Sequence, residues 1–272
     1  MECAACGHQA SVTAGTIFQD THKPLRVWFH AIWLVTTAKQ GASALAIQQV
    51  LGLGSYRTAW AWLHKLRHAM VRPDRERLEG AVEVDEAWVG GFEPGMFGRQ
   101  AAARAIVVIA VEERGPAMGR VRMLRLHDGS AGSLESFVKA VVVPGSVVHT
   151  DGYTGYANLT AAGYEHRPIV LRGRPKEAAT ELLPRVHLVV SLLKRWLLGT
   201  HQGAASLDHL DYYLDEFTFR FNRRRSRHRG LLFKRLLENA VRVDPLPYEA
   251  IVNRTGKPRL KRRTNIDWIA GP

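Results

Sequence analysis

Two apolar, β-branched runs in this chain each carry an aspartate and then turn on glycine. The first is Val82 to Gly91, VEVDEAWVGG, and the second is Gly145 to Tyr153, GSVVHTDGY. Alternation of Val82 and Val84 with Glu83 and Asp85 reads as a strand. One carboxylate in such a run is explained by a solvent-facing side of the strand. The recurrence of the pattern at Asp151 points elsewhere. Two strand-borne carboxylates, far apart in sequence and held on rigid backbone, are what a two-metal phosphoryl-transfer site requires of its protein.

The whole composition narrows the partner. A net charge of +13 and a pI of about 10.2 over 272 residues call for a polyanion, either nucleic acid or an anionic membrane. No run is long enough to span a bilayer, and the N-terminus lacks a signal-peptide pattern, so the membrane reading falls. Cysteine occurs at Cys3 and Cys6, too close together for a structural staple and suited to a reducing compartment. The expectation is a cytosolic protein that faces nucleic acid.

The opening CAACGH has the form of a zinc knuckle, in which Cys3 and Cys6 flank a tight turn. One knuckle is half a site, and His8 and His22 are the nearby residues that could complete it. Residues 1–22 are therefore expected to be a partial zinc ribbon whose second knuckle lies upstream of Met1. From Pro24 to Ala38, Leu25, Trp28, Phe29, Ile32 and Val35 recur at helical spacing. Ser43 to Leu51 and Tyr56 to Met70 continue as two short helices around LGLGS, with Trp60, Leu63, Leu66 and Met70 as the second helix's apolar stripe. That helix carries Arg57, His64, Lys65, Arg67 and His68, and Ser55 is placed to cap it. Residues 23–72 thus resemble a helix-turn-helix, with Ser55, Tyr56, Arg57 and Thr58 nearest a DNA groove and Lys65 further along. An ordinary helical hairpin with a solvated basic face has the same pattern.

The charged stretch RPDRERLEG reads as a linker, and a second domain is expected over residues 80–240. Ala105 to Val111 and Val121 to Leu126 join the first acidic strand in a meander. Ser133 to Val141 is a helix, Ser146 to His149 the strand that delivers Asp151, and Tyr164 to Val170 a fifth strand. Three strands, a helix, a strand and then helices is the order of an α/β, RNase H-like fold, a mixed sheet flanked by helices. Both aspartates then fall on adjacent central strands. A third ligand is expected from a later region, and Glu177, Glu181 and His187 all qualify by spacing. Glu86, next to Asp85, points to the opposite side of the strand. The helix from Ser206 to Phe221 presents Asp208, Asp211, Asp215 and Glu216 as a solvated face. Beyond it, Arg223, Arg224, Arg225, Arg227 and Arg229 are dense enough for a phosphate-binding surface. Residues 241–272 form a basic tail that supports affinity without specificity.

The strings VEVDEAWVGG, HTDGY, LPRVH, SLLKRWLLGTHQG and YLDEFTFRFNRR resemble the catalytic domain of bacterial insertion-sequence transposases of the DDE superfamily. The likeness is to the ISXO-type group, whose transposase domain follows a zinc ribbon, and it runs from Cys3 to about Leu237. In that group the third catalytic residue lies about 36 positions after the second aspartate, is Glu, Asn or His, and is followed seven positions later by lysine. From Asp151, 151 + 36 gives His187, and 187 + 7 gives Lys194.

The resemblance implies a two-metal site of Asp85, Asp151 and His187, with Mg²⁺ or Mn²⁺ as cofactor and Zn²⁺ at any complete ribbon. It implies Lys194, with Arg195 beside it, as a phosphate contact. Histidine in the third position departs from the commoner acid and, being softer, shifts preference toward manganese. The expected activity is cutting at element ends and joining them to target DNA, in a bacterial, nucleoid-associated setting. The expected partners are double-stranded terminal repeats and target DNA, handled by a homodimer or higher oligomer. Competing readings are an RNase H-like nuclease without strand transfer, and a catalytically decayed DNA-binding protein.

Overall fold

The computed structural model describes residues 4–7, 11–72, 75–90, 104–169, 182–201 and 207–252. They form two compact units. One contains the described residues up to Arg72 together with those from Arg225 onward; the other contains those between Arg75 and Arg224.

The first unit is helical. Helix α1 (Leu25–Thr37) starts at Pro24, whose fixed φ suits a helix entry. Helix α2 (Ala44–Leu51) is capped by the Ser43 side chain, which accepts from Ala46 N–H, and it ends at Gly52 in the left-handed conformation. Ser55 caps α3 (Tyr56–His68) by accepting from Arg57 N–H. Trp28 of α1 stacks on Trp62 of α3, their ring centroids 3.7 Å apart, and this pair is the centre of the unit's core. Of the expected apolar stripe, Leu63, Leu66 and Met70 are buried, whereas Trp60 is only half-buried and Trp62 takes the core position beside Trp28. The basic face of α3 is also narrower than its sequence promises: His64 is 0% and Arg67 2% exposed.

Helices α7 (Arg229–Ala240) and α8 (Tyr248–Val252) belong to this same unit. Phe233 of α7 meets Phe29 and Trp33 of α1, and Ile17 N–H donates to the Ala240 carbonyl. The sheet-bearing unit therefore ends near Arg224 and not at residue 240. The helix that follows is drawn to the aromatic face of α1.

The second unit is a mixed sheet of β1 (Ala81–Gly90), β2 (Arg104–Arg114), β3 (Ala117–Leu126), β4 (Val147–Thr150) and β5 (Glu165–Pro168), in the order β3-β2-β1-β4-β5. β1, β2 and β3 pair antiparallel; β4 joins β1 and β5 in parallel. Period-two alternation gives the sheet two apolar faces. Val82, Val84, Val108 and Val148 pack against α4 (Ala131–Val141), while Ala87, Val89, Val107 and Ile109 pack against α5 (Pro184–His201) and α6 (Leu210–Asn222). This is the expected RNase H-like α/β architecture.

One surface expectation fails in this unit. Glu216 is 1% exposed, and its carboxylate accepts from Arg220 Nε at 2.8 Å, so the acids of α6 do not form a solvated face. The helix is buried almost all round, and a charge there is tolerated only because it is paired one turn away.

Candidate active site

Parallel pairing of β1 and β4 sets Glu83 opposite His149. Asp85 lies two residues further along β1, and Asp151 lies two residues beyond His149, so both carboxyls emerge at the same ends of adjacent strands. Asp85 shares its face with Ala87 and Val89, toward α5, and is 9% exposed. The solvent-face reading of Asp85 is thereby excluded. Its Oδ1 accepts from Glu86 N–H at 2.8 Å. Asp151 Oδ1 accepts from Tyr153 N–H at 2.9 Å across Gly152, whose φ of 76° makes the turn one that glycine adopts without strain.

His187 enters from the first turn of α5. Val186, Val189, Leu193 and Leu197 bury one side of that helix against the sheet. The His187 Nε2 atom stands 3.9 Å from Asp85 Oδ2, beyond hydrogen-bond range, and is buried without a hydrogen-bond partner.

Charge and burial act together on this group. The Asp85 carboxyl is pushed up to about 7, first by burial, then by the neighbouring Asp151 and Glu86 carboxylates, against the lowering effect of the Glu86 amide. Burial lowers His187 from the ordinary histidine value, while Glu83 and Asp151 pull the other way. Near neutral pH the imidazole is uncharged, with a lone pair available to a cation. Among the described residues, no three His, Cys, Asp or Glu side chains are gathered closely enough to hold a metal ion as they stand. The repulsion that raises Asp85 also opposes a closer approach of the two carboxylates. In donor chemistry the three residues fit a divalent cation: two hard oxygens and one imidazole nitrogen.

Glu86 is directed to the other sheet face, where it accepts from the Tyr156 hydroxyl at 2.8 Å. Lys194 and Arg195 are exposed on α5, and Lys194, seven residues after His187, shares its side of the helix. Glu177, Glu181, Cys3, His8 and the tail from residue 253 lie outside the described residues; Cys6 is exposed with a free thiol.

The other basic candidates divide by environment. Tyr56 is 54% exposed, and Arg57 is exposed with its guanidinium 6.0 Å from the Tyr248 ring centroid. Lys65 is half-buried, and that burial lowers its pKa despite Asp20 and Glu249. Arg223 lies 4.2 Å over Phe219, while Arg224 lies 4.0 Å over Phe221 and donates to the Gly119 and Met118 carbonyls at 3.3 and 2.5 Å. These two arginines bind their own fold; Arg224 and Arg225 are both exposed.

Sequence reasoning passed over a buried acid beside the site. Glu83 is 1% exposed, and its carboxylate accepts from the backbone N–H groups of Arg185 and Val186 at 2.9 and 2.8 Å. The available signal was its register: in VEVDE it lies on the same strand face as Asp85.

Residues 77–222 match the ISXO2-like transposase domain, and this span includes Asp85, Asp151, His187 and Lys194. The chain is also 26% identical over 237 residues, 80% of its length and 76% of the relative's, to the "Uncharacterized protein in transposable element ISH50" of Halobacterium salinarum (strain ATCC 700922 / JCM 11081 / NRC-1). Among the described residues, no helix is long and apolar enough to cross a membrane. With the family match spanning more than half of its length, the chain belongs to the ISXO2-like transposases, insertion-sequence transposases of the DDE type.

Proposed function

We propose that this transposase cuts DNA at the ends of its element and joins them to target DNA by divalent-metal-dependent phosphoryl transfer, using Asp85, Asp151 and His187. The observation that carries this reading is the buried, unpartnered His187 Nε2 facing Asp85 Oδ2 at 3.9 Å, beside a second carboxylate. Unpaired buried polar atoms are rare in folded proteins, and one that faces a carboxylate across 3.9 Å supports a ligand role. A bound Mg²⁺ or Mn²⁺ would polarise the scissile phosphate and make a water or a 3′-hydroxyl a competent nucleophile.

The residues divide that work. Asp85 would hold the cation as a carboxylate, at little cost near pH 7 because its carboxyl already titrates there. Asp151 is aimed by the Tyr153 amide, and neutral His187 supplies the softer donor that favours manganese. Lys194, exposed on the His187 side of α5, holds a phosphate of the DNA backbone.

Recognition of the terminal repeats falls to α2 and α3, read as a helix-turn-helix with Tyr56 and Arg57 leading. Cys3 and Cys6 contribute to a zinc ribbon only if a second knuckle completes it. Two ends must be joined, and a homodimer is the simplest arrangement. The deciding experiment incubates the full chain with end-containing duplex and target plasmid in Mn²⁺. Joined products support the proposal. Cleavage without joining identifies a nuclease, and binding without cleavage identifies a decayed enzyme.

A further inference from the structure

Each of the three site residues is preceded, two positions earlier in the chain, by a charged or ionisable residue: Glu83 on β1, His149 on β4 and Arg185 on α5. The fold links these three to one another. Besides its two backbone bonds, the Glu83 carboxylate accepts from Arg185 Nη1 at 2.8 Å. The same guanidinium nitrogen lies 3.2 Å from Glu113 Oε2, and Glu113 Oε1 lies 2.9 Å from His149 Nδ1. Arg185 Nη2 donates to the Gly115 carbonyl at 2.7 Å. The run Glu83, Arg185, Glu113, His149 therefore ties β1, β2 and β4 to the first turn of α5.

Stability alone gives a weak reason for such a run. A buried ion pair roughly breaks even against apolar residues of the same volume, whereas it fixes geometry that greasy contacts leave loose. The apolar side of α5 resists lifting off the sheet but offers little resistance to sliding along it. A carboxylate bonded to the first backbone N–H groups of the helix, where the helix dipole also favours negative charge, sets its axial position. His187 is one residue past the second of those N–H groups. A shift of about 1 Å there would be felt in ligand geometry and in rate.

We infer that Glu83, acting through the N-terminus of α5 and Arg185, is the positioning residue of this site: it sets how far His187 stands from Asp85 and Asp151. Glu113 and His149 extend the same tie to β4, the strand that leads into Asp151. The inference rests on the reading of Asp85, Asp151 and His187 as metal ligands.

The test uses the full chain with Glu83→Gln, which keeps the shape and one acceptor but removes the charge. Mn²⁺ affinity, cleavage kinetics and the His187 ring resonances of the metal-free protein are measured together. Expected are a loss of about ten-fold in Mn²⁺ affinity, a fall in kcat with KM for DNA nearly unchanged, and displaced His187 resonances. In a His187→Ala background, Glu83→Gln should cause no further loss of Mn²⁺ affinity, because it acts through that side chain. Additive losses, or unchanged affinity and resonances beside a lowered Tm, would overturn the inference and leave Glu83 a stabilising cap. Should Glu83→Gln not fold, Arg185→Lys, which keeps the backbone bonds and the charge, is expected to shift the same readouts by a smaller factor, and no shift overturns the inference. If His187→Ala leaves Mn²⁺ affinity intact, the metal reading itself has failed. The His187 resonances in Glu83→Gln then decide the positioning role alone.

Discussion

Asp85 is a carboxyl placed where ionising it is costly, and that cost can be measured. Its pKa is about 7 in the fold against an ordinary value of 3.8. Below pH 4 both folded and unfolded chains hold the proton, and the site costs nothing. As the pH rises toward 7 the unfolded chain releases its proton first, so stability falls, and above 7 the loss is constant. Its upper bound is on the order of a few kcal/mol. Asp85→Asn should therefore raise the Tm of the metal-free protein at pH 8 by several degrees, with the gain vanishing toward pH 4, while cleavage is lost. Added Mn²⁺ should stabilise the wild type and not the variant. No stabilisation of the variant at pH 8 would refute the buried-carboxylate account. His187 allows a sharper contrast: as a ligand, His187→Glu keeps or improves activity with Mg²⁺, and His187→Ala fails with both metals. The His187 side chain is 28% exposed, so a glutamate there is not fully desolvated. A His187→Glu protein that melts earlier than His187→Ala would mark the imidazole as structural. At this scale the two aspartates were picked out because a carboxylate in a β-branched run stands out, and the fold places them at the same ends of adjacent strands. Spacing left His187 as one of three candidates, and only resemblance to a family chose it.

Elements were legible wherever periodicity or a cap was clear, as for β1, β2 and the Ser55 cap of α3. They were misread where a charge is buried beside a partner that no local pattern reveals. Glu216 meets Arg220 inside α6, and Glu83 meets Arg185 across 102 positions of chain. The arginine run after α6 shows the difference within adjacent residues. Both Arg224 and Arg225 are exposed, but Arg224 also donates to the Met118 and Gly119 carbonyls and covers the Phe221 ring. Arg224→Ala should cost about 1–2 kcal/mol in denaturant unfolding. Arg225→Ala should leave stability within about 0.5 kcal/mol and lower DNA affinity, more so at low salt. Equal stability losses in the two variants would mean that the Arg224 bonds contribute nothing.

The composition of the two units was hidden from sequence because it depends on a return of the chain: α7 comes back to α1 through Phe233, more than 190 residues after Phe29 and Trp33. The run of arginines read as a phosphate-binding surface within one domain contains the change from one unit to the other, between Arg224 and Arg225. Charge, by contrast, belongs to the molecule as a whole and is read directly from composition. With a net charge of +13, DNA affinity is expected to rest on basic residues spread over the chain rather than on the acidic centre. A protein that contacts six to ten phosphates loses about 10³–10⁵-fold in affinity between 50 and 200 mM salt, through the counterions it displaces. Asp85→Asn and Asp151→Asn each remove one negative charge near the bound strand and no phosphate contact. Both variants should therefore bind end-containing DNA as tightly as the wild type or slightly tighter, with the same salt slope, while producing no cleaved strand. A metal-dependent affinity that disappears with either aspartate would place the main DNA contact at the active site. An affinity that does not change with salt would remove the basic surface from the account altogether. Equal slopes with cleavage abolished would separate the two functions: holding DNA by distributed charge, and acting on it at two aspartates and a histidine.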